Sequence, residues 1–324
     1  MRRIKIDTFT LLLVATVAFA SILPCRGIGA RLFGGLTQMA IVLLFFMHGA
    51  KLSREAVVRG LSAWRLHLLV LASTFILFPL LGLALAAMPI VDGPIGRGLI
   101  FLSILPSTVQ SSIALTAIAG GNVAAAVCSA SLSNIVGVVL TPLLASLTLS
   151  SAVGGQGIAF GSAVGDIALT LLLPFVLGHL SRRWTADLVD RHRAFLMRLD
   201  RGSILLVVYT AFSAAVMRGL WHQISAADLV AILLCDAVLL ALVLVMTSLA
   251  ARIGGFARAD EIVLVFCGSK KSLASGVPMA AALFPVAQVG PMLLPLMIFH
   301  QLQLIVCAML AQRHAARGAV LAAA

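Results

Sequence analysis

The chain has 324 residues, of which 61 % are hydrophobic and only 10 % charged, with a mean hydropathy of +1.13. Those values exclude a water-soluble enzyme, and the dominance of apolar residues with only five Cys excludes disordered, collagen-like and disulfide-scaffold chains. A formal charge of +12 would suit nucleic-acid binding only with a basic face on a water-exposed domain, which no stretch is polar enough to build; a polytopic membrane protein with basic cytoplasmic loops accounts for the excess instead.

Each crossing needs ~20 mostly apolar residues to cover ~30 Å of hydrocarbon. Runs bounded by charge, Gly and Pro predict ten of them. The first five cover residues 8–24, 32–50, 66–88, 98–120 and 122–148. The second five cover 161–181, 203–221, 227–250, 261–284 and 288–311. Met1-Arg2-Arg3-Ile4-Lys5, followed by an apolar run and Ala18-Phe19-Ala20, imitates a cleavable signal peptide. The apolar run continues past that site to Pro24, however, and cleavage would leave nine spans, so it reads as the first helix. Between the sixth and seventh spans the longest polar stretch, Ser181 to Gly202, carries six Arg and reads as a loop.

Charge then orients the spans. With the N-terminus inside, 17 Lys and Arg face the cytoplasm: three before the first span, four from Lys51 to Arg65, six in the central stretch, Arg252, Arg258, Arg313 and Arg317. Only four, Arg26, Arg31, Arg97 and Arg218, face the other side, and the remaining two, Lys270 and Lys271, lie inside a span. This bias predicts both termini on the cytoplasmic face of the cell's inner (plasma) membrane, with the chain multi-pass in the lipid bilayer.

The ten spans divide at the Arg-rich stretch into two sets of five, about 8–148 and 161–311, within a single integral membrane domain. An odd number per half sends equivalent helices across in opposite directions, the inverted-repeat layout of many secondary transporters. The fourth span contains Leu105-Pro106-Ser107-Thr108-Val109-Gln110-Ser111-Ser112, and its counterpart, the ninth, contains Cys267-Gly268-Ser269-Lys270-Lys271-Ser272-Leu273-Ala274-Ser275-Gly276-Val277-Pro278. Both are polar and carry helix breakers at mid-span. Freed backbone at that depth is tolerated only in protein or beside a cavity, so paired interruptions point to a transport site.

Taken singly, Ser107, Thr108, Ser129, Ser131, Ser133 and Thr141 read as close-packing residues of membrane helices. Lys270 and Lys271 do not. A lysine at mid-bilayer costs about 2.5–3.5 kcal/mol, and with each end of the span ~13 Å away neither can snorkel, so both need a polar cavity, a partner or loss of the charge. Counting from the outer face puts Asp236 in the eighth span ~12 Å down, with His300, Gln301 and Gln303 of the tenth and Gln110, Ser111 and Ser112 of the fourth in the same layer. A Lys–Asp236 pair bonded to this Ser/Gln layer is therefore expected, with an ion pair that merely joins helices as the plainer alternative. His48, His67 and His179 lie near span ends and read as interfacial, while His300 is deep enough to relay protons. Cys25, Cys128, Cys235, Cys267 and Cys307 are scattered along the chain without zinc spacing, and no phosphate loop or nucleophile elbow is present, so no enzyme chemistry is expected.

At these residues the chain resembles the bile acid:sodium symporter family, SBF-like subgroup. The likeness is strongest at Leu105 to Ala114, Gly121 to Asn134 and Phe266 to Met279. It implies an all-α fold of ten transmembrane helices in a panel and a core domain, the discontinuous fourth and ninth crossing at the substrate site, and sodium-coupled uptake of an organic anion. The chain departs from the pattern where sodium would sit. Family members resemble one another in a glutamate before the ninth-helix glycine and a Gln-Asn pair after it; this chain has Phe266, Lys270 and Lys271. A Ser-Asn pair of the fourth helix becomes Ser112-Ile113. Hard cations require carboxylate and carbonyl oxygens, so any sodium ion is expected near Ser112 and Asn134, with no other cofactor, and weaker sodium dependence follows.

The expected function is a secondary active transporter, coupled to sodium or protons, that moves a small organic anion by alternating access. Its site would comprise Ser107, Thr108, Gln110, Ser111, Ser112, Asn134, Asp236, Ser269, Lys270, Lys271, Ser272 and His300. A non-transporting membrane regulator of ion homeostasis is the alternative reading, separable by uptake in proteoliposomes.

Overall fold

Uninterrupted apolar runs become long helices because a chain in hydrocarbon can satisfy its backbone only within itself. The structure is a computed structural model that describes residues 8–51, 63–88, 93–149 and 171–323, and every regular element among them is helical. In chain order these are α1 (Thr8–Ile22), α2 (Gly27–Lys51), α3 (Trp64–Ala86, with a wide π turn at Ser73–Leu77), α4 (Gly93–Ile104), α5 (Gln110–Ile118) and α6 (Val123–Leu149). After α6 come α7 (Leu173–Arg191), α8 (Arg193–Met217), α9 (Ala226–Ile253), α10 (Arg258–Gly268), α11 (Leu273–Leu283) and α12 (Val286–Ala323). Six of them, α2, α3, α6, α8, α9 and α12, contain stretches long and apolar enough to cross a membrane unaided. Residues Met1 to Lys5, Arg54, Arg59 and the first part of the sixth expected span, 161–170, lie outside the described residues.

Local chemistry sets several ends. Ser225 caps α9: its hydroxyl accepts from the Asp228 N–H at 3.2 Å, while the Ser225 N–H donates to the Asp228 carboxylate at 2.7 Å, a reciprocal box. Gly120, at φ +75°, closes α5 in the left-handed conformation. The expected Arg-rich loop is not a loop. α7 runs through Arg182 and Arg183 to Arg191, and α8 starts at Arg193, leaving His192 between them. Hydropathy marks where a helix meets lipid, whereas Arg, Leu and Ala favour helix in water as well, so both helices continue past the apolar stretch.

The chain forms two compact units. The first holds residues up to Leu52, Ser146–Leu229 and Ala274–Leu294. In it α2 and α7 cross at two glycines, since a Cβ on Gly49 would overlap the Phe175 carbonyl and one on Gly178 the Phe46 carbonyl. Arg182 donates to the Ala50 carbonyl at 2.8 Å, Thr37 and Thr210 hydroxyls bond at 2.9 Å, and Lys51 pairs with Asp200. The second unit holds Ser53–Ala145, Val230–Leu273 and Pro295 onward. Its cores are apolar. Leu66, Val70, Ala126, Ala251, Leu264 and Cys267 pack in one, and Leu115, Ile262, Phe266, Cys307 and Ala311 in another, so α10 is wedged between α3, α5, α6 and α12.

Candidate functional site

Both expected interruptions exist, and both lie in the second unit. α4 stops at Ile104 and α5 begins at Gln110; α10 stops at Gly268 and α11 begins at Leu273. Pro106 lacks an N–H, and Gly268, with no Cβ, lets Ser73 and Thr247 come close enough that a methyl there would sit 3.2–3.3 Å from them. Each break strands backbone groups that cannot face lipid.

Tracing where those groups bond defines the site. The two segments first bond to each other. The Ser272 N–H donates to the Pro106 carbonyl at 2.9 Å, the Ser107 hydroxyl to the Cys267 carbonyl at 2.6 Å, and the Ser112 hydroxyl to the Phe266 carbonyl at 3.0 Å. Neighbouring helices supply the rest. Ser73 donates to the Gly268 carbonyl at 2.8 Å and Thr141 to the Ile104 carbonyl at 2.9 Å. Ser133 accepts from the Ser107 N–H at 3.0 Å, and the Asn134 amide donates to the Ser107 carbonyl at 2.8 Å. Ser133 and Thr141, expected to be packing residues, therefore cap the break. Gln303, placed by depth in the expected Ser/Gln layer but not counted among the site residues, belongs to the site as well. Its buried side-chain amide accepts from the Lys271 N–H at 2.8 Å and donates to the Lys271 carbonyl at 2.9 Å, replacing the backbone partners the break removed. A polar residue deep in a span was the available signal.

Lys271 is fully buried, and its ammonium donates to the carbonyls of Ser103 at 2.6 Å, Leu105 at 2.7 Å and Thr74 at 2.8 Å. The Phe78 ring lies 4.1 Å below it. Three donors meet three acceptors. Lys270, equally buried, has no hydrogen-bond partner for its ammonium, which stands 5.6 Å from the Phe266 ring centre. The Ser269 hydroxyl beside it lies against the Cys307 thiol, short of full hydrogen-bond geometry. Asp236 is fully buried with no cation beside it; the Phe299 N–H lies against its carboxylate, short of full hydrogen-bond geometry.

The expected Lys–Asp236 pair is thus not formed. Depth counting puts the three residues at one level but says nothing of the direction each faces around its helix, and the break itself supplies Lys271 with acceptors. Of the remaining expected residues, Thr108, Gln110, Ser111 and Ser112 lie at the first break and His300 beside the second. Thr108 and Ser112 hydroxyls bond at 2.9 Å, Ser111 donates to Thr108 at 2.8 Å, and Gln110 is exposed. His300 accepts from Gln303 at 2.8 Å through Nδ1. His67, in the first turn of α3, is buried, its Nδ1 lying 2.7 Å from the Ser129 hydroxyl.

Comparison with known proteins adds an independent line. The model of the SBF-like CPA transporter family matches residues 7–316. An uncharacterized protein of Pseudomonas aeruginosa is 57 % identical over 313 residues, covering 96 % of this chain and 93 % of the relative. YfeH of Escherichia coli K12, provisionally named a symporter, is 55 % identical over 311 residues, 95 % and 93 % of the two chains. Sodium/bile acid cotransporter 7 of Danio rerio is 26 % identical over 311 residues, 94 % of this chain and 92 % of the relative.

Proposed function

Because the chain belongs to the SBF-like CPA transporter family, a family of membrane transporters and not of enzymes, we propose that it is a secondary active transporter that binds a small organic anion at the Lys270 ammonium. The observation that carries this reading is a fully buried ammonium with no hydrogen-bond partner at the meeting point of two unwound segments. In an apolar protein such a group is costly unless something of opposite charge arrives to occupy it. The N-terminus of α5, opening onto the first break, adds the positive end of a helix dipole.

Ten spans in two inverted repeats, with the 17 to 4 charge bias setting cytoplasmic termini, complete the proposal. Its support is the way the halves distribute. α1 and α2 fall in the same unit as α7 and α8, whereas α3, α4, α5 and most of α6 fall with α9, α10 and the greater part of α12. Most equivalent positions in the two halves thus keep the same company; α11, which falls in the first unit while its counterpart α5 falls in the second, is the exception.

Sodium fits the residues poorly. Asn134 presents its N–H side to the Ser107 and Ala130 carbonyls, the Ser112 oxygen accepts from Thr108 while its O–H donates to the Phe266 carbonyl, and the carbonyls around Lys271 already hold an ammonium. Proton coupling, with Asp236 and Lys270 as the carriers, is therefore favoured. Uptake of labelled organic anions into proteoliposomes tests the reading, with sodium replaced by choline at constant pH and with imposed pH gradients. Uptake driven by the pH gradient, retained in choline and lost in Lys270→Met, is expected. Uptake that disappears in choline would refute the proton reading, and absence of uptake for every anion by folded protein would refute transport.

A further inference from the structure

Lys270 and Lys271 are adjacent, equally buried and chemically identical, yet only one is satisfied. The difference lies in what surrounds Lys271: carbonyls from α3 (Thr74), α4 (Ser103) and the first break (Leu105), at 2.6–2.8 Å, closed on one side by the Phe78 ring at 4.1 Å. Carbonyl oxygens converging on one point, with an aromatic face behind, form a dehydrated cation site of the kind that replaces an ion's water shell. Nothing in this arrangement needs the cation to be attached to the chain.

We propose that these carbonyls and the Phe78 face are a monovalent-cation site whose resident ion is the Lys271 ammonium, and that removing the side chain opens the site to a free ammonium-type cation. The tethered ion has a structural task. Ser103 and Leu105 flank Ile104, the last residue of α4, so their carbonyls are among those the break frees, and the ammonium holds them against α3 through Thr74. At the same time the Lys271 backbone is clamped to α12 by Gln303. One residue therefore joins both breaks to two continuous helices without any soluble ion. The inference concerns the scaffold and stands whether or not an anion binds Lys270.

The test uses full-length protein purified in detergent as wild type, Lys271→Ala and Lys271→Met, with melting temperature and folded yield measured in chloride salts of ammonium, methylammonium, sodium and choline at one pH and ionic strength. Lys271→Ala vacates both charge and volume, and ammonium or methylammonium should raise its melting temperature saturably, by a few degrees over choline. Wild type should not respond. Lys271→Met fills the space without a charge, so it should melt below wild type and stay insensitive to ammonium. Identical behaviour of Lys271→Ala in ammonium and choline overturns the proposal. If Lys271→Ala gives no folded protein in any salt, Lys271→Met decides: a melting temperature at or above wild type overturns the proposal, and a lower one upholds it.

Discussion

Gln303 offers the most direct test of how the second break is held. Replacing it by Leu keeps the approximate size of the side chain but removes the acceptor of the Lys271 N–H and the donor to the Lys271 carbonyl, bonds of 2.8 and 2.9 Å in a fully buried position. Each buried polar group left without a partner costs about 1–3 kcal/mol, so Gln303→Leu should lose roughly 2–6 kcal/mol, a large share of a typical total of about 5–15 kcal/mol. Gln303→Glu keeps the acceptor and loses only the donor, and should fall between Leu and wild type if its carboxylate takes the Lys271 N–H. Gln110→Leu, on an exposed side chain at the start of α5, serves as the control and should change little. Folded yield and thermal melting in detergent measure all three. A Gln303→Leu protein as stable as wild type would show that the unwound segment does not depend on this clamp, and the accounting of the break would be wrong.

Three further outcomes follow from particular contacts. Asp236→Asn should leave the protein at least as stable as wild type, because no cation pairs with its carboxylate, a buried carboxylate without a counter-charge is costly, and Asn keeps an acceptor for the Phe299 N–H; its combination with Lys271→Met should be additive within ~0.5 kcal/mol, and strong coupling in that cycle would restore the ion pair. Gly49→Ala or Gly178→Ala should cost about 1–3 kcal/mol by forcing α2 and α7 apart, whereas Gly34→Ala, where a methyl meets nothing, should be neutral or stabilising; equal melting of all three would remove the close crossing. Reporter fusions or cysteine accessibility should place the N-terminus, the Ser181 to Gly202 stretch and the C-terminus on the cytoplasmic side, and an external central stretch would remove both the orientation and the inverted repeat.

Much was legible before any coordinates. The apolar spans, the interruption at Pro106 and the one between Gly268 and Leu273 are properties of short stretches of chain: a proline lacks its N–H wherever the fold puts it, and two lysines in a hydrophobic run must be buried. Helix ends were less legible, because arginine ends an apolar run without ending a helix, which is why α7 and α8 continue through the expected loop. What Lys271 binds was decided by tertiary structure alone. A rise of 1.5 Å per residue gives depth but not direction around the helix axis, so Asp236 and the lysines could be set at one level without being brought together. Backbone carbonyls are present at every residue and leave no mark in a sequence. Only packing α3, α4 and α10 together reveals that three of these carbonyls, rather than a carboxylate, meet the buried charge.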